Sequence, residues 1–168
     1  MINAEEVQAV MDVIRSHYKS LQSPDFSFVR DTIAKRPYEK ILQQISKHFQ
    51  VEEDTDPNDD VSFGYVLTKG GERWILRISM LGPYAVLLRL HQAARIEVMT
   101  HRAQVSSRAE KELITTLADN SIRLLDRDAL LIPVPMRLFN AEPENTRVYQ
   151  ALFTDTDILP WDESPWQG

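Results

Sequence analysis

The stretch VSFGYVLTKGGERWILRISMLGPYAVLLRL, positions 61–90, decides the fold. Val61, Phe63, Tyr65 and Leu67 alternate with Ser62, Gly64, Val66 and Thr68, the two-residue period of a strand whose side chains point to opposite faces. Lys69-Gly70-Gly71-Glu72 then brings the glycines that a short hairpin turn needs. Trp74 to Met80 resumes the alternation, Leu81-Gly82-Pro83 turns the chain again, and Tyr84 to Leu90 returns as a nearly continuous apolar strand. Two tight hairpins make an antiparallel meander, with Trp74, Ile78, Val86 and Leu88 expected in its core.

Beyond the meander, Arg95 to His101 alternates polar with mostly apolar residues and adds a fourth strand with one wet face. Ser107 and Glu110 have capping-box spacing, which starts a helix whose inner face is Leu113, Ile114 and Leu117 and which Asp119-Asn120 ends. Ile122 to Leu125 suits a return to the sheet edge, and Asp126 suits the cap of a short helical turn that Pro133 and Pro135 stop. Val148, Tyr149, Leu152 and Phe153 lie at helical spacing, although Val148-Tyr149 and Phe153 also favour strand.

Ahead of the meander, Asn3 and Glu6 repeat the capping-box spacing and open a helix that runs to about Leu21, with Val7, Val10, Met11, Ile14 and Tyr18 on one face. Gln22 to Asp25 breaks it, and Phe26 to Ile33 is an apolar segment of ambiguous period. Pro37 suits the first turn of a second helix, buried through Tyr38, Ile41, Leu42, Ile45 and Phe49. Glu52-Glu53-Asp54-Thr55-Asp56-Pro57-Asn58-Asp59-Asp60 has no apolar side chain to anchor it and is expected to be a solvated loop.

The expectation is therefore an α+β domain spanning 1–168: a helical part over 1–50, an antiparallel sheet over 61–101, and a helix with irregular structure over 105–168. The sheet should have four to six strands, with helices packed on one face.

Composition narrows the function classes. The chain has 168 residues, 43% hydrophobic and 26% charged, and contains no cysteine, which removes disulfides, thiolate zinc sites and cysteine nucleophiles. The amino terminus has no secretory pattern and no apolar run approaches the ~20 residues of a membrane span, so a cytoplasmic protein without membrane association is expected. With 25 acidic against 19 basic residues the net charge is -6, which disfavours direct nucleic-acid binding and favours basic partners.

Catalytic signatures are absent from the sequence. His17, His48, His91 and His101 lack zinc-ligand spacing, although His91 and His101 flank one segment and could meet across a sheet edge. The five glycines form no phosphate-cradling pattern, and neither Ser79 nor Ser106-Ser107 sits in a glycine-flanked nucleophile turn. The acidic run lacks the glycine and terminal glutamate of a calcium-binding EF-hand loop. The reading is a non-enzyme with no metal and no cofactor.

A binding protein is the better expectation, with a basic protein as its partner. Two carboxylate-rich segments bracket the sheet: Glu52, Glu53, Asp54, Asp56, Asp59 and Asp60 in one, Asp155, Asp157, Asp162 and Glu163 in the other. Charge of one sign steers a basic partner. Trp161 joins the second segment as a large contact surface or, equally, as a clasp onto its own domain, while Trp166 is more terminal and expected to be free.

Val148-Tyr149-Gln150-Ala151-Leu152-Phe153, followed by Asp155-Thr156-Asp157-Ile158-Leu159-Pro160-Trp161, together with the overall acidic character, resembles the small immunity proteins of bacterial polymorphic-toxin systems. The resemblance implies a protein that neutralises a cognate, co-encoded toxin by covering its active site or substrate-binding surface, and it transfers no residue role. The alternatives are a small-molecule-binding or enzymatic α+β domain with a pocket between sheet and helices, and a structural adaptor.

Overall fold

A computed structural model of the protein describes residues 3–92, 95–100, 105 and 107–161. In chain order it contains α1 (Ala4–Tyr18), α2 (Ser27–Lys35), α3 (Glu39–Ser46), β1 (Gln50–Glu53), β2 (Ser62–Lys69), β3 (Glu72–Ser79), β4 (Tyr84–Leu90) and β5 (Ile96–Met99). After these come α4 (Arg108–Asp119), β6 (Arg123–Leu124), α5 (Arg127–Leu130), a 3-10 turn (Pro143–Asn145) and α6 (Val148–Leu152). The fold is α+β. Strands β1 to β5 form an antiparallel sheet in sequence order, and β6 adds a short parallel pairing to β4.

The meander closes in the register that the alternation requires. Phe63, Tyr65 and Leu67 of β2 stand opposite Ile78, Leu76 and Trp74 of β3, and Leu76 and Ile78 stand opposite Leu87 and Ala85 of β4. The first hairpin turns on Gly70 and Gly71 at φ 57° and 82°, a left-handed region that costs a side-chain-bearing residue about 1–2 kcal/mol.

Trp74, Ile78, Val86 and Leu88 are all buried, but not together. Trp74 and Ile78 face α3 and α4 through Ile41, Leu42, Leu113 and Leu117. Val86 and Leu88 face the other way, onto α1, α5 and α6 through Ile14, Tyr18, Leu130 and Leu152. Helices therefore cover both faces of the sheet, not the single face expected. The reason lies in β4, where Ala85, Val86, Leu87 and Leu88 are each at most 1% exposed; a strand apolar on both sides demands two covers.

Side-chain caps fix the starts of α1, α4 and α5. Asn3 and Glu6 exchange hydrogen bonds as a capping box, and the Ser107 and Asp126 side chains accept from Glu110 N–H and Ala129 N–H. The ambiguous Phe26 to Ile33 segment is helical and lies within the span of α2 and its cap. Its Phe28 and Val29 pack against both cores. Residues 148–152 form a helix, which Tyr18 ties to α1 by donating its hydroxyl to Ala151 O at 2.6 Å. Burial among apolar groups pushes the Tyr18 phenol far up, so it stays a neutral donor.

The acidic run differs from a wholly solvated loop. Gln50 to Glu53 is the edge strand β1, paired Val51 to Leu67 and Glu53 to Tyr65. At the other end Asp60 is only 6% exposed. Only the segment between them is free of strand structure.

Candidate partner-binding groove

The carboxy-terminal end of α6 runs alongside the start of β2. Val61 N–H and Ser62 Oγ both donate to Phe153 O, at 3.0 and 2.7 Å, Asp60 and Thr154 form an antiparallel bridge, and Asp155 N–H donates to Asp59 O at 2.8 Å. Two acidic segments almost a hundred residues apart, by the 94-residue separation of Asp60 from Thr154, are thus stitched side by side. An open-sided groove of about 890 Å³ lies against the seam, walled by α2, the 57–61 segment, Phe139 and Asp155.

Buried carboxylates hold the seam. Asp60 accepts from Thr154 Oγ1 at 2.8 Å and Asp56 N–H at 2.8 Å, with Arg77 Nη1 at 3.4 Å. Asp155, 7% exposed, accepts from Phe139 N–H and Asn140 N–H, one on each oxygen and both at 2.9 Å. Asn140 Nδ2 donates to the Asp155 carbonyl at 3.2 Å. This clamp fixes the 137–141 corner, on which Phe139 stands 87% exposed with its ring 5.9 Å from that of Phe26.

The remaining acidic candidates fall into three groups. Glu52, Asp59 and Asp157 are exposed, and Asp59 lines the groove. Glu53, Asp54 and Asp56 are exposed but engaged. Glu53 receives a forked pair of hydrogen bonds from Arg36, which holds its carboxyl below the ordinary range despite some desolvation. Asp54 Oδ1 lies over Gly64, 2.5 Å from where a Cβ would sit, so a side chain there would push the exposed Asp54 carboxylate aside. Asp56 accepts from Asn58 N–H at 3.0 Å in a local turn. Trp161 is half-buried with its ring centroid 5.3 Å from that of Tyr149, which favours the clasp. Asp162, Glu163 and Trp166 lie outside the described residues.

Sequence reasoning missed Phe139 and the α2 wall, Val29, Arg30 and Asp31. A signal for Phe139 exists: Val134, Met136 and Leu138 are buried while Pro135, Arg137 and Phe139 are exposed, an alternation that places a phenylalanine on the wet side.

A second charge cluster joins the sheet to α4. Glu110, 0% exposed, accepts from Trp74 Nε1 at 2.7 Å and Arg89 Nε at 2.8 Å, while Arg89 also reaches Glu97, and Glu97 reaches His91 Nε2 at 2.8 Å. His91 thus pairs with a carboxylate, and its proposed neighbour His101 lies outside the described residues. Among the described residues no group of three or more His, Asp or Glu side chains is placed to hold a metal ion. No described helix is long and apolar enough to cross a membrane.

No family model, curated protein or solved structure significantly matches this chain.

Proposed function

We propose that the protein binds a basic protein partner through this groove and its acidic surround, and that the partner is a co-encoded toxin which it neutralises. The supporting observation is the meeting of Asp59, from one acidic segment, with Phe139, which the other segment's Asp155 holds in place. An exposed aromatic ringed by carboxylates matches the chemistry of an interface anchor with a steering rim. The groove's volume also lies in the range of small-molecule sites, roughly 300–1,000 Å³, and that supports a pocket function as the second reading.

The test is binding to the product of the adjacent gene at two salt concentrations, beside a growth-protection assay. Neutralising Glu52, Asp59 and Asp157 should slow association and flatten its salt dependence, with the fold unchanged. Failure of the wild-type protein to bind or protect against that product refutes the immunity reading. A thermal stabilisation by a metabolite, abolished by groove substitutions, would favour the second.

A further inference from the structure

We infer that the groove receives a lysine- or arginine-bearing segment of the partner, with an apolar side chain of that segment seated between α2 and Phe139. The inference deepens the protein-binding reading and rests on it. Three features of the wall specify this occupant. The apolar part includes Phe26, Val29, Ile33 and Phe139, a surface that gains by covering. The charged part has four carboxylates, Asp31, Asp59, Asp60 and Asp155, against one guanidinium, Arg30. Asp60 and Asp155 are already satisfied from within the fold, whereas Asp31 and Asp59 have no cationic partner among the described residues.

The third feature is preorganisation. A phenylalanine exposed on a slack loop collapses onto the nearest apolar surface, but the two bonds from Phe139 N–H and Asn140 N–H to the buried Asp155 carboxylate hold this backbone in place. An anchor fixed before binding loses little conformational freedom when it binds. Phosphate-bearing partners and anionic membranes meet net negative charge here and are disfavoured.

Isotope-labelled protein titrated with an acetylated nine-residue peptide, two leucines between paired lysines, tests the inference by NMR. Matched peptides with glutamates for the lysines, or serines for the leucines, are the controls. The lysine–leucine peptide should shift the amide signals of Val29, Arg30, Asn58 and Asn140, and each control should bind at least ~10-fold more weakly. Phe139→Ala should weaken the peptide by about 10-fold or more at unchanged thermal stability, and Asp31→Asn with Asp59→Asn should lower the salt dependence. Shifts confined to other surfaces, equal binding of either control, or indifference to Phe139→Ala overturns the inference. If the peptide binds here while the adjacent gene product does not bind at all, the immunity reading alone fails. If that product binds without disturbing Val29 or Asn140, the groove alone fails.

Discussion

Asp155→Ala separates a carboxylate that builds the surface from those that merely occupy it. The wild-type side chain is 7% exposed and accepts two backbone N–H bonds at 2.9 Å. Hydrogen bonds to a charged group contribute about 1.5–3 kcal/mol each, which sets an upper figure of roughly 3–6 kcal/mol for the pair. Phe139 and Asn140 are exposed residues, so water reaches the freed N–H groups and recovers part of the loss. A net cost of about 2–3 kcal/mol remains. Urea denaturation with a slope of ~2 kcal/mol/M should then show a midpoint lowered by roughly 1–1.5 M. Asp155→Asn keeps one carbonyl acceptor and should fall between the variant and wild type. Asp157→Ala, two residues on and exposed, should stay within about 0.5 kcal/mol. A midpoint change below ~0.3 M for Asp155→Ala, or equal changes at 155 and 157, would refute the clamp.

Three further outcomes follow from the same structure. Glu110→Gln should lower Tm by roughly 6–20 °C, because it removes the charge of a fully buried carboxylate paired with Arg89 and hydrogen-bonded to Trp74, at about 3–5 kcal/mol; a shift under ~2 °C in calorimetry contradicts that assignment. Gly71→Ala meets no atom within 4 Å but must adopt φ 82°, so chemical denaturation should register about 1–2 kcal/mol of backbone cost, and a neutral result would mean the hairpin has rearranged. The Arg36 guanidinium depresses the Glu53 pKa below 4.5, so that pair stabilises the fold fully above pH 4.5 and fades as pH falls through the lowered value. With side chains 37% and 35% exposed the pair is screened to less than ~1 kcal/mol, and the stability gap between wild type and Glu53→Gln should shrink on acidification; a gap that widens below pH 4.5 has the wrong sign.

How much of this was legible in the sequence depends on the range of the determining contact. The hairpins, the capping box at Asn3 and the N-caps at Ser107 and Asp126 are decided within a few residues, and the structure has them where the spacing puts them, except that at Ser107 only the Ser107 half of the box forms, the Glu110 carboxylate being held by Trp74 and Arg89 instead. The helix cover on both faces was also written in the sequence, since Tyr84 to Leu90 reads apolar at consecutive positions; the meaning of that run depends on what else the chain can lay over it. The strand β1 was hidden because three of its four residues are polar, leaving only Val51 to pack inward, and its pairing with β2 is an edge interaction that no alternation announces. Glu110 was read as a capping residue from its spacing, and its burial under Trp74 and Arg89 depends on contacts 36 and 21 residues distant.

The acidic segments show the same division within a single residue type. Net charge is additive along the sequence, but what a carboxylate does depends on which N–H groups reach it, and neighbouring aspartates diverge completely. Asp60 is buried against Thr154 while Asp59 faces the groove; Asp155 is buried under Phe139 and Asn140 while Asp157 is exposed. The buried pair places the exposed groups in register by joining 59–60 to 154–155. Solubility alone explains exposed carboxylates anywhere on a surface, and it is served as well by acids scattered singly. It offers no reason to fix a phenylalanine at 87% exposure beside them with a buried carboxylate. An uncovered ring forgoes the gain of burying it, and the proposed partner would collect that gain by covering Phe139.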